Sequence, residues 1–79
     1  MKTLDEKFLI ILSAFHSARY GVSPSVLLGA VENHSKKYGL AGKDYTETVE
    51  AAIGAGLVAL SSDSSLSIKG AGRAKLGKQ

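Results

Sequence analysis

Apolar residues recur every three or four positions at Leu4, Phe8, Ile11, Leu12 and Phe15, which draws one stripe along a helix face. Leu9 and Ile10 widen that stripe enough to put this helix at the centre of a core. Thr3 and Glu6 stand ahead of it in capping-box spacing. The pattern predicts a helix over residues 4–20, closed by Gly21 in a positive-φ conformation. A second helix is predicted over 24–38, with Ser23 as its cap and Pro24 in the first turn, where a missing N–H costs nothing. Leu27, Val31, His34 and Tyr38 share one face of it, Gly39 closes it, and Lys36 and Lys37 suit the negative end of its dipole. Tyr45, Val49, Ala52 and Ile53 mark a third helix over 45–55, begun by Asp44 with Glu47 three residues on. Gly54 and Gly56 weaken its end by up to ~1 kcal/mol each relative to alanine.

Past Gly56 the period changes. Residues 57–60 are too few for another helix, and Leu66-Ser67-Ile68-Lys69 alternates as a half-buried strand does. The serine-rich segment 61–65, with Asp63 at its middle, reads as the turn of a hairpin over 57–69. A short helix over 71–76 follows, with Leu76 placed to fold back on the core. No internal repeat and no linker interrupt the pattern, so residues 1–79 read as a single domain, α+β and mostly helical.

Composition narrows what such a domain can be. At 79 residues the chain buries roughly 60% of the surface its unfolded form exposes, and it has no cysteine to staple a thin core. Packing alone must hold it, helped by a partner or by self-association; the broad apolar first helix suits a homodimer. The longest apolar run, residues 8–12, is far short of the ~20 residues of a membrane span. The N-terminal charge followed by an apolar stretch has a faint likeness to a signal peptide. Asp5 and Glu6 interrupt it and no small-residue cleavage pattern follows, so the expectation is an amphipathic helix in a cytoplasmic protein.

The formal charge of +3 is unevenly spread. Over residues 1–65, Lys2, Lys7, Arg19, Lys36, Lys37 and Lys43 face all seven acids, a net of −1. Residues 66–79 hold Lys69, Arg73, Lys75 and Lys78 and no acid, a net of +4.

Catalytic patterns are weak. There is no Gly-x-Ser-x-Gly turn to expose a nucleophile. His16 and His34 each fall on an apolar helix face, which predicts satisfied, half-buried imidazoles. Two histidines without cysteine are too few for a closed zinc site. Gly70-Ala71-Gly72-Arg73 follows a strand and opens a helix, but it lacks the third glycine of a nucleotide fingerprint and reads as turn chemistry. No enzymatic activity, cofactor or metal is expected.

Helix, helix, helix, hairpin and helix, in that order, resembles the winged helix-turn-helix family of bacterial, archaeal and phage proteins. The likeness rests on Ala52-Ile53-Gly54-Ala55-Gly56-Leu57-Val58 and on Leu66-Ser67-Ile68-Lys69-Gly70-Ala71-Gly72-Arg73. In that family a helix ends in a Gly-Leu-hydrophobic lead into the first wing strand, and the second strand closes with a hydrophobic-Thr-x-x-Gly-Arg turn. Lys69 stands here in place of the threonine. The second helix is also longer than the compact one usual in the family. The resemblance spans about residues 44–76, with the first two helices matching in outline. It implies a winged-helix fold of three helices, a two-stranded wing and a short C-terminal helix, and a role in transcription regulation by binding double-stranded DNA.

On that reading the third helix would enter the major groove and the 61–65 tip would lie near phosphate or the minor groove. The helix is expected to expose Thr46, Glu47, Thr48, Glu50 and Ala51, with Thr46 and Thr48 as its nucleic-acid candidates. Lys36, Lys37, Lys43, Lys69, Arg73 and Lys75, with Lys78 beyond them, are the expected phosphate contacts, which hold position without reading sequence. Two glutamates facing a polyanion are poor electrostatics, and the tip carries Asp63 and no cation. The alternative is a protein-interaction module in which Glu47, Glu50 and Asp63 dock on a basic, nucleic-acid-handling partner. Phage or mobile-element inhibitors of host defence, of the anti-CRISPR kind, are small proteins of this style.

Overall fold

The computed structural model describes residues 3–17 and 21–77. Within them the chain is α+β, with four helices and a small three-stranded antiparallel sheet.

Helix α1 (Leu4–Ser13) starts on a closed capping box. The Thr3 hydroxyl accepts from the Glu6 amide at 3.2 Å and the Glu6 carboxylate accepts from the Thr3 amide at 3.1 Å. Phe8, Ile11 and Leu12 bury its inner face. The helix stops short of the expected 4–20 span. The Ala14 and Phe15 amides tighten onto the Ile11 and Leu12 carbonyls, and the Ser13 hydroxyl takes the Ile10 carbonyl at 2.8 Å. Backbone pairing then passes to two short strands, β1 (His16–Ser17) and β2 (Gly21–Val22), joined antiparallel with His16 opposite Val22. The predicted helix end at Tyr20 lies outside the described residues.

The second helix also differs from expectation. Residues 25–27 form strand β3 (Ser25–Leu27), and α2 (Leu28–Lys37) begins only after it. Ser23 and Pro24 therefore lead into a strand instead of capping a helix. Sheet hydrogen bonds to a distant strand outweigh the local cap signal. Leu27, the actual N-cap, makes no side-chain cap bond. The Leu28 amide instead donates to the Ser64 carbonyl of the hairpin at 2.9 Å, which satisfies one orphan donor of the first turn. Helix α3 (Gly42–Gly54) starts ahead of the expected 45, so Asp44 sits in its first turn, where a carboxylate suits the positive dipole end.

Helices α2 and α3 end in the same way. Gly39 and Gly56 adopt φ of 81° and 77°, the left-handed region that glycine enters without cost. The Leu40 amide returns to the Ser35 carbonyl, and the Leu57 amide to the Ala52 carbonyl, each at 3.0 Å. Both are Schellman turns. Each drives its following leucine inward, and Leu40 and Leu57 belong to the core.

Beyond the second turn come β4 (Val58–Leu60), β5 (Ser65–Ile68) and α4 (Gly70–Gly77). The sheet order is β3-β5-β4, so the hairpin gains a third strand beyond the two expected. Val26 and Leu60 lie opposite Leu66, and Val58 lies opposite Ile68. Because strand side chains alternate, Leu66, Ile68 and Val58 share the face turned to the helices. They close the core with Ile11, Leu12, Phe15, Val31, Leu40, Val49 and Ala52. No helix among the described residues is long and apolar enough to cross a membrane.

Candidate nucleic-acid interface

The segment from α3 to α4 is held by backbone bonds around one residue. The Leu57 carbonyl accepts from the Lys69 amide at 2.9 Å, which locks the start of β4 to the end of β5. Gly72 then brings α4 against the same carbonyl. A Cβ on Gly72 would collide with the Leu57 oxygen and lie 2.9 Å from Ile68 Cγ1 and 3.2 Å from Leu12 Cδ2. Arg73 donates its amide to the Lys69 carbonyl at 3.0 Å, so Lys69 and Arg73 stand one helical turn apart at the hairpin exit, both exposed.

At the other end of the hairpin, the Ser61 and Ser64 amides bond the Ser65 and Ser61 carbonyls across the tip. Ser64 takes a φ of 63°, the one non-glycine residue with positive φ among those described. The Ser65 hydroxyl donates to Asp63 at 2.7 Å, and this bond holds the Asp63 carboxyl below the usual carboxylate range. The tip is therefore anionic at neutral pH.

Ion pairs sort the predicted cations into three groups. Lys36 lies 4.0 Å from Glu32 and Lys43 lies 3.9 Å from Glu47, each along its own helix and solvent-exposed. Such pairs are worth about 0.3–0.5 kcal/mol and yield readily to a phosphate. Lys75 is held more closely. Its ammonium is 3.0 Å from Asp5 and stands 6.0 Å from the centroid of the Phe8 ring, so it ties α4 to α1. Lys7 pairs with Asp44 at 2.8 Å and ties α1 to α3. Among the described residues, Lys37, Lys69 and Arg73 are the predicted contacts that carry no ion pair; Lys78 lies outside the described residues.

Helix α3 differs from its predicted surface at two positions, Thr48 and Ala51. Thr48, expected to be exposed, is buried at 3% accessibility, and its hydroxyl donates to the Asp44 carbonyl at 2.7 Å. The helix turns that side toward the core with Tyr45, Val49 and Ala52. Thr46 is exposed, and its hydroxyl donates to the Gly42 carbonyl at 3.2 Å. Glu47 and Glu50 are exposed, and Ala51 is half-buried. The structure thus leaves Thr46, Glu47 and Glu50 on the outer face.

The histidines have separate settings. His34 Nε2 lies 2.7 Å from the Ser13 hydroxyl, and its ring stacks obliquely on Tyr38 at 5.0 Å. Ser13 already donates to the Ile10 carbonyl, so the Nε2–H tautomer completes the network. Burial, and then the nearby Lys37 charge, hold the His34 pKa below its ordinary value. His16 is exposed at the start of β1 instead of on a helix face. The Tyr45 hydroxyl donates to the Leu28 carbonyl at 3.2 Å. No three His, Cys, Asp or Glu residues among those described converge as a metal site would need.

Sequence spacing gave no sign of the Lys7–Asp44 and Lys75–Asp5 pairs, because their partners are far apart in the chain. The helical pairs at four-residue spacing, Glu32 with Lys36 and Lys43 with Glu47, carry a local signal that would have found them. No family model, no curated protein and no solved structure matches this chain.

Proposed function

We propose that this chain is a small non-enzymatic winged-helix domain that binds double-stranded DNA and acts in transcription regulation. Supporting the fold reading are the three helices, the antiparallel hairpin that follows α3, and the short helix that closes it. The observation that carries the DNA reading is the pair Lys69 and Arg73. They are exposed, one turn apart at the hairpin exit, and unpaired among the described residues. Lys37 adds a third cation without an ion pair among the described residues, and Lys36 and Lys43 are released at little cost. These groups suit phosphate, which supplies most of the affinity of such proteins.

The test is an electrophoretic shift on random duplex DNA across a salt series. Replacing Lys69 and Arg73 by alanine should weaken binding on every sequence. It should also flatten the dependence of log K on log salt by about 0.9 for each lost contact. Salt-independent binding, or binding untouched by the double change, would overturn the proposal.

A second reading is favoured by the outer face of α3, which offers Glu47 and Glu50 where a groove-reading helix would offer cations. On it, the acidic helix face and Asp63 dock on a basic protein surface, as in an inhibitor of host defence of the anti-CRISPR type. Changing Glu47, Glu50 and Asp63 to lysine should then abolish capture of a basic partner with the fold intact. Unchanged capture by that variant would sink it.

A further inference from the structure

Direct readout of base edges favours particular side chains, and helix α3 has few of them. Bidentate contacts to guanine come from arginine or lysine, and to adenine from asparagine or glutamine; a carboxylate can accept from cytosine, but without a cation beside it the phosphates repel it. The whole sequence holds one asparagine, Asn33, one glutamine, Gln79, and two arginines, Arg19 and Arg73. None of the four is on α3. The one cationic side chain of that helix, Lys43, is in its first turn and lies 3.9 Å from Glu47. The remaining outer polar positions are a threonine that donates to its own helix and three carboxylates, Asp44, Glu47 and Glu50. Thr48, the other candidate hydroxyl, is in the core.

We infer that this chain holds duplex DNA by its sugar-phosphate backbone and does not select a base sequence. The inference rests on the DNA-binding reading above and assigns that site its substrate class. The contact is centred on Lys69 and Arg73 at the hairpin exit. Helix α3 stays out of the major groove, because Glu47 and Glu50 would face the phosphates on either side of it. Lys69 and Arg73 engage phosphate, and contacts of that kind fix register and orientation without distinguishing one base pair from another. Regulation by such a protein works through occupancy of DNA and not through choice of an operator.

The experiment is repeated selection of the full chain on duplexes with a randomised core at low salt, with the unselected pool titrated first. The expected result is a shifted pool from which no motif emerges, with selected and unselected pools bound within about threefold of one another. A good bidentate contact discriminates by roughly five- to hundredfold, so an enriched motif bound tenfold or more tightly would overturn the inference and leave DNA binding standing. A pool that is not shifted at all would overturn the DNA reading itself and point to a protein partner. A second measurement uses Glu50→Ala, which removes an exposed carboxylate that has no ion pair among the described residues. It should leave affinity unchanged or raise it by about two- to threefold on all sequences alike, as loss of a screened repulsion does. Sequence-dependent weakening would mean that Glu50 contacts bases, and would overturn the inference.

Discussion

Gly72 lies directly against the Leu57 carbonyl oxygen, with Ile68 and Leu12 closing round the same point. That oxygen is backbone, fixed by the bond it accepts from the Lys69 amide, and cannot move aside. Gly72→Ala should therefore cost ~1–3 kcal/mol through overpacking. In a domain of this size that lowers the midpoint of thermal unfolding by about 4–8 °C for each kcal/mol. Gly70→Ala is the control: a Cβ there meets nothing within 4 Å, and the change should be neutral or stabilising. Equal midpoints for the two variants would refute the close approach.

Ser64 holds a φ of 63° so that its carbonyl can receive the Leu28 amide. Glycine adopts that backbone freely, so Ser64→Gly should stabilise the protein by about 1 kcal/mol, read from denaturant titration. Ser64→Val should destabilise it. A loss of stability in the glycine variant would show that the serine side chain contributes more than its backbone strain costs.

His34 introduces a pH dependence of known sign. Its pKa in the folded protein lies below the ordinary 6.5, so the unfolded chain binds the proton more readily. Stability from this group is complete above 6.5 and is lost as pH falls from there through the lower folded pKa. Stability measured between neutral and mildly acidic pH should fall more steeply for the native chain than for His34→Gln. Parallel curves would mean that His34 binds its proton equally well in the folded and unfolded chain.

Tyr45 acts at the other end of the scale. Burial, and then the Glu32 charge, push its hydroxyl up to about 12. The folded protein holds that proton more tightly than the unfolded chain does, so the stabilisation is intact below the ordinary pKa of 10 and is lost as pH rises toward 12. Ultraviolet titration should show a late tyrosinate that Tyr45→Phe removes. The same variant should cost about 0.5–1.5 kcal/mol at neutral pH, as the hydrogen bond to Leu28 is lost.

The parts of this fold legible in the sequence are those whose signals are local. The Thr3–Glu6 capping box, the glycines that end α2 and α3, and the alternation at Leu66 and Ile68 each depend on neighbours within a few positions. The strands at His16–Ser17 and Ser25–Leu27 were not legible, for the opposite reason. Val26 and Leu27 carry an apolar spacing that continues smoothly into α2, and only β5, far along the chain, makes them a strand. At the candidate site the free cations Lys69 and Arg73 stood out by composition. The burial of Thr48 was hidden because the side of α3 facing α1 depends on how the two helices meet. Lys7 and Asp44 pair across that contact, and no spacing rule reaches between them.

The central place of β5 in the sheet also bears on self-association through strand edges. Both of its sides are paired, so the exposed edges of this sheet belong to β3 and β4, each only three residues long. Pro24 stands immediately before β3 and has no amide to offer a further strand. Among the described residues, a sheet bounded in this way offers another chain only short edges to pair with. The strand that joins the hairpin from the N-terminal half of the chain thus covers one of its two edges, and the other is only three residues long.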